Sequence, residues 1–313
     1  MNRFDYQTAF SRNIGWVSEA EQQRLRNTRV AIAGMGGVGG SHLLTLTRLG
    51  VGRFNLADFD TFAVENFNRQ AGANLNTVDR PKLDCLIEMA LSINPTLQIE
   101  SYAQGVEPDQ AEPFLIGCDL YLDGLDFFAM PARRAVFAAC ERLGIPAVTA
   151  APLGMGAALL CFLPGRTSFE DYFRLEGYDE YQQYLRFLVG LAPGRLHTGY
   201  LVMPDRIDLV AKRGPSTPMG CELCAGFAAT QALKLLLGRG KVLPAPWGLQ
   251  FDAYRNRLRR TWRPGGNRHP LQRLAIRLGG QGLAKQLDAA RDRRGDSRAG
   301  TPGMDSVNDP GYE

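Results

Sequence analysis

One segment dictates what this chain can fold into. Arg29 to Gly34 (RVAIAG) is a short apolar run of β type, Gly34-Met35-Gly36-Gly37-Val38-Gly39 comes next, and a helical segment runs from His42 to Leu49. Glycines let a backbone turn tightly and approach a phosphate, and the helix N-terminus beyond supplies amide donors and the positive end of a dipole. So dense a glycine run exceeds what helix–sheet packing requires. A second strand, Arg53 to Ala57, ends at Asp58. That is about 20 residues past the loop, where a carboxylate can accept ribose hydroxyls. The pattern implies a parallel nucleotide-binding sheet and leaves NAD, FAD and ATP open.

The alternation continues downstream. A helix begins after Pro81, with Leu83, Leu86, Ile87, Ala90 and Leu91 at helical spacing, and stops at Asn94-Pro95. Leu97 to Tyr102, Asp119 to Leu122 and Ala147 to Ala150 read as strands, separated by helices near Asp109 to Ile116 and Pro131 to Leu143. Gly156 to Leu163 and Trp247 to Phe251 read as antiparallel additions, and Glu180 to Val189 and Ala225 to Leu237 as helices. The expected fold class is α/β, a Rossmann-like nucleotide-binding parallel sheet extended by antiparallel strands. Residues 1–28 form an N-terminal helical arm in which Ser18 and Glu21 make a capping box. Residues 29–165 form the Rossmann-like nucleotide-binding domain, and 166–278 an extension completing it with an arginine-rich end. A tail over 279–313, with little to bury, is expected to be disordered.

Composition excludes whole classes. Of 313 residues, 45% are hydrophobic and 22% charged, which are globular values and not those of a disordered or fibrous chain. Six cysteines in a chain of this length do not make a disulfide framework. The start, MNRFDYQTAFSRN, has no apolar core of a signal peptide, and the uncharged run Leu143 to Gly165 is broken by three prolines. A cytoplasmic protein with no membrane partner is expected. The net charge is +4, but Ala253 to Leu287 holds eight Arg, one Lys and no acid. Arg255, Arg257, Arg259, Arg260 and Arg263, with Tyr254 and Trp262 between them, fit either an RNA backbone or the charged face of an edge strand.

The residues beyond Asp58 decide among nucleotides. Asp60, Asn66, Arg69 and then Lys82 opening a helix have no task in a dehydrogenase. An enzyme attacking the α-phosphate of ATP needs such cations, which neutralise the triphosphate and the charge developing in the transition state. Downstream, Asp123-Gly124-Leu125-Asp126 falls past the C-terminal end of a sheet strand, where a carboxylate can hold Mg²⁺ between phosphate oxygens.

GMGGVG (34–39), ADFD (57–60), NFNRQ (66–70), PK (81–82), INP (93–95) and DGLD (123–126), in this order, resemble the ThiF/MoeB/ubiquitin-activating-enzyme family of adenylyltransferases. The resemblance spans about residues 10–163, with an echo in the helix Ala225 to Leu237. It implies binding of ATP with Mg²⁺, adenylation of a carboxylate and action as a homodimer. Gly34, Gly36, Gly37, Gly39, Asp58 and Asp60 would then belong to the nucleotide site. Asp58 would hold the ribose, Asn66, Arg69 and Lys82 the phosphates, and Asp126 the metal. Arg12, in FSRNIG, stands where the family places an arginine contributed by the partner subunit. Phe127 occupies a position where the family often carries Asn.

The substrate so implied is the C-terminus of a ubiquitin-like or sulfur-carrier protein. Two other readings are a tRNA threonylcarbamoyladenosine dehydratase-like enzyme and a non-catalytic dimeric scaffold of the same fold. Many members bind zinc through two CxxC pairs. Here Cys221-Glu-Leu-Cys224 is a single pair and cannot complete four ligands. Placed just before the Ala225 helix, Cys221 or Cys224 could instead accept an acyl group.

Overall fold

The computed structural model of the protein describes residues 4–299. Its strands are β1 Arg29–Ala33, β2 Arg53–Ala57, β3 Gln98–Tyr102, β4 Leu120–Asp123, β5 Ala147–Pro152, β6 Gly156–Phe162, β7 Trp247–Asp252 and β8 Arg257–Trp262. They form one sheet in the order β3-β2-β1-β4-β5-β6-β7-β8. Strands β3 to β5 in that order are parallel and β6, β7 and β8 antiparallel. The expected extended Rossmann-like sheet is therefore present. The order reverses between β1 and β4, and such a switch point opens a ligand crevice at the C-terminal strand ends.

The helices are α1 Tyr6–Ala9, α2 Glu19–Asn27, α3 Gly39–Leu49, α4 Lys82–Ile93, α5 Ala111–Leu115, α6 Met130–Leu143, α7 Phe169–Phe173, α8 Glu180–Leu191, α9 Pro218–Leu237 and α10 Pro270–Ala299. Because β1 is covered on both faces, its residues after Arg29 are apolar and buried. Val30 and Ile32 join the core under α3, α4 and α9, with Leu43, Leu86 and Ala228. Ala31 and Ala33 join the opposite core, where α6, α7 and α8 bring Phe137, Phe169, Phe173 and Phe187. The uncharged run ending at Gly165 supplies β5 and β6. Helix α9 is long and apolar enough to cross a membrane, yet Cys224, Ala228 and Ala232 bury it against this sheet.

In the N-terminal arm, Ser18 and Glu21 form the expected capping box at the start of α2. The Tyr6 hydroxyl donates to the Gly50 carbonyl at 2.6 Å, fastening α1 to the C-terminal end of α3. Two expectations are corrected. Helix α9 begins at Pro218, not Ala225: Thr217 caps it and proline occupies its first position, so the Gly/Pro-rich approach is a helix start. The tail expected from residue 279 is helical through Ala299, because Leu283 and Leu287 extend the apolar stripe onto the α6–α8 core. Gly279 permits the approach, since a Cβ there would lie 2.6 Å from Leu185. The remainder of that tail, 300–313, lies outside the described residues.

Candidate active site

The four loop glycines divide into two kinds. Gly34 has a φ of 87°, in the left-handed region. A Cβ on it would lie 2.3 Å from the Gly124 carbonyl oxygen, and one on Gly39 would lie 1.7 Å from the Gly34 oxygen. These two glycines lock the loop after β1 against the loop after β4. A Cβ on Gly36 would meet nothing closer than Gln70 at 3.9 Å, so that part of the loop is open. Gly37 lies beneath Arg69, whose Cγ is 3.6 Å from its Cβ position, and beside Cys221 Sγ at 3.1 Å. An anion approaching the start of α3 would therefore meet Gly36 and Gly37.

Asp58 pins this loop to the end of β2. One carboxylate oxygen accepts from the Met35 amide and the other from the Asp60 amide at 2.7 Å. Burial pushes its carboxyl above the usual range, and the two amides pull it partly back. Asp60 accepts from Lys82 Nζ at 2.9 Å, and its carbonyl accepts from the Lys82 amide at the same distance. The lysine side chain is 9% exposed against 53% for the aspartate, so the cation is held in place while its partner faces solvent. Arg69 donates to the Glu65 carbonyl at 3.0 Å and to Asn68 Oδ1 at 2.9 Å. Asn66 is buried, and its Oδ1 accepts from the Ala63 amide, closing the turn that presents Arg69.

Asp126 is exposed in the β4–α6 loop, where its Oδ1 accepts from the Phe128 amide at 2.9 Å. The Gly34–Gly124 contact brings that loop against the glycine loop. Among the described residues, no group of three or more His, Cys, Asp or Glu side chains lies together. Asp126 would thus hold Mg²⁺ with few protein ligands beside it. That fits an ion held otherwise by phosphate oxygens and water.

Arg133 went unread in the sequence. Its Nε donates to Asp123 Oδ2 at 2.8 Å, and its Nη2 donates to the Leu125 carbonyl at 2.7 Å and the Asp126 carbonyl at 3.0 Å. Thr149 donates to the same Asp123 oxygen at 2.8 Å. The first aspartate of DGLD is consequently an internal anchor and the second is free for solvent. The available signal was an arginine on the same helical face as Val136, Phe137 and Cys140, which are buried.

Arg12 stands apart from this site, and the two cysteines are closed off from solvent. Arg12 lies in a short 3-10 turn, Ser11–Asn13, on the arm fastened to the far end of α3. With 11 residues in α3, that is about 16 Å along the helix from its own glycine loop. Cys221 and Cys224 lie inside α9 and both side chains are fully buried. Burial raises both thiols, Cys224 far more; Ser216 and Arg69 partly offset the shift at Cys221.

A glycine loop at the start of α3, open at Gly36, with Arg69 over Gly37 and Asp58 pinning it to the end of β2, is the loop of a Rossmann-type nucleotide-binding fold. The chain belongs to the ThiF family, whose model matches residues 10–274. It is 32% identical over 143 residues to the sulfur carrier protein ThiS adenylyltransferase of Escherichia coli (strain K12), covering 46% of this chain and 56% of that one. It is 33% identical over 150 residues to the tRNA threonylcarbamoyladenosine dehydratase of Bacillus subtilis (strain 168), covering 48% and 57%. The chain thus spans little more than half the length of these relatives. In fold it resembles the crystal structure of PaaA, with a TM-score of 0.63, 18% identity, and 84% of this chain and 77% of that chain covered. It also resembles E. coli MccB with ATP, at a TM-score of 0.57, 17% identity and coverage of 77% and 65%.

Proposed function

We propose that this chain is an ATP-dependent adenylyltransferase that activates a carboxylate, most fittingly the C-terminus of a ubiquitin-like or sulfur-carrier protein. The observation carrying this reading is the placement of Arg69 over Gly37 and of Lys82 on Asp60, whose amide is held by the same Asp58 that pins the glycine loop. In the reaction a substrate carboxylate oxygen attacks the α-phosphorus of ATP, the bond to the bridging oxygen breaks, and pyrophosphate departs. A carboxylate is ionised at neutral pH, so no side chain must act as a strong base. The chain supplies position and charge. Asp58 receives the ribose, the α3 amides and Asn66 border the phosphates, and Arg69 and Lys82 neutralise them. Asp126 would hold Mg²⁺, which would add charge neutralisation at the phosphates.

A homodimer, with Arg12 reaching the partner's site, belongs to the same reading, as does a cytoplasmic setting. Six free thiols suit a reducing compartment. Exchange of labelled pyrophosphate into ATP tests the proposal. Carrier proteins ending in Gly-Gly should drive the exchange. Tight NAD binding with neither ATP binding nor exchange would overturn it. The dehydratase reading is favoured by one feature, the arginine-bearing β8 edge. It predicts that tRNA carrying the modified base, rather than a carrier protein, drives ATP consumption.

A further inference from the structure

A second recess, of about 270 Å³, opens between the end of α8, β8 and the first turns of α10. Strand β8 is four positions from β4 in the sheet. At about 4.8 Å per strand, β8 lies about 19 Å across the sheet from β4, at whose end the nucleotide crevice opens. One wall carries Arg195, Arg259 and Arg263, and the other Leu271, Leu274 and Leu278.

The arginines come from separate places. Arg195 sits in the turn after α8 with a φ of 47°. Arg259 donates to the Gly194 carbonyl at 3.1 Å, and Arg263 to the Trp262 carbonyl at 3.0 Å. Arg263 Nε is buried with no partner. Among the described residues no carboxylate pairs with any of the three. Burial, and then the neighbouring Arg259 and Arg195, lower the Arg263 guanidinium from its usual value, against an opposing effect of Tyr172. Holding three cations together without a counter-charge costs free energy that a bound anion would recover. The leucines are 56%, 54% and 53% exposed and lie at helical spacing on one face of α10.

We propose that this recess binds a phosphate monoester carried on a short apolar chain, the phosphate among the three arginines and the chain along the leucines. A bare inorganic anion would leave the leucines in water, and a neutral apolar molecule would leave the cations unneutralised. A carboxylate brings one charge where a phosphate monoester brings nearly two, with oxygens that suit forked guanidinium contacts.

Calorimetry with octyl phosphate, inorganic phosphate and octanoate tests this. Octyl phosphate should bind at least tenfold more tightly than the other two. Arg259→Gln, at an exposed position, should cost at least tenfold in that affinity without moving the melting temperature. Leu274→Ser should shrink the gap between octyl phosphate and inorganic phosphate. The source of the ligand is read with phosphatidylcholine vesicles with and without phosphatidic acid. Retention that needs both phosphatidic acid and Arg259 assigns the same chemistry to a lipid headgroup, and its absence assigns it to a soluble ester. Failure of octyl phosphate to bind, or binding that Arg259→Gln and Leu274→Ser leave unchanged, overturns the proposal.

Discussion

At the scale of single residues, the glycine loop does two jobs. Gly39 is closed in by the Gly34 carbonyl oxygen and Gly36 faces open space, so one extra methyl group should separate folding from binding. Gly39→Ala forces backbone apart and should cost about 3 kcal/mol or more. Gly36→Ala should leave stability within about 0.5 kcal/mol, as at an open surface position. It should still weaken ATP at least tenfold by crowding the phosphate. Urea unfolding and calorimetry on the two variants check both outcomes; equal loss of stability would remove the distinction. Asp58, Asp60, Arg69 and Lys82 were legible because motif order fixes their place relative to the loop. The packing role of Gly34 and Gly39 was not, since it depends on Gly124, some 85 to 90 residues away in sequence and brought alongside by β1–β4 pairing.

At the scale of elements, the parallel strands and α4 were readable because apolar runs and Asn94-Pro95 mark them locally. The start of α9 was hidden by a proline that reads as a breaker but sits at a first helical position. The extent of α10 depends on Leu185 of another helix. Arg133 shows the same dependence in the site, because its value comes from tying α6 to the carbonyls of the DGLD loop. Arg133→Met leaves the buried Asp123 carboxylate without its cation and should destabilise the fold by about 3 kcal/mol. The surviving folded fraction should show reduced kcat, because Asp126 then sits on a loosened loop.

Helix α3 carries a pH response. Burial lowers His42 to about 4, against an attraction to Asp123 that raises it. The unfolded chain therefore takes up a proton near pH 6.5 while the folded chain refuses it, so stability present above pH 6.5 is lost as pH falls towards 4. Between pH 6.5 and 5 this one group should remove about 1.5 kcal/mol. Comparing urea midpoints at the two pH values for the protein and for His42→Leu isolates it: the variant should lose less stability on acidification. An identical loss would clear His42.

At the scale of the whole molecule, the arm bearing Arg12 is docked at the end of α3 away from the chain's own glycine loop. Tyr6 and Asn13 fasten it to the C-terminal end of α3, through Gly50 at 2.6 Å and Leu49 at 3.1 Å. The glycine loop lies at the opposite end of that helix. A guanidinium can assist a leaving pyrophosphate only by contact, so the proposed role of Arg12 is at the site of a second copy. Sequence could place Arg12 in a motif but not on a particular end of α3, because that depends on a tyrosine finding a carbonyl 44 residues away.

The consequence is a complementation experiment. Arg12→Ala and Lys82→Ala should each lower pyrophosphate exchange at least a hundredfold, since in the proposed homodimer every site of either variant lacks one cation. Subunits mixed under conditions where mass spectrometry shows exchange should regain up to a quarter of the normal activity. Half the dimers are then mixed, and each mixed dimer has one site with an intact Lys82 and an intact Arg12 from its mate. The other site of that dimer lacks both. If mixed dimers form and activity stays at the level of the single variants, Arg12 has no role across an interface.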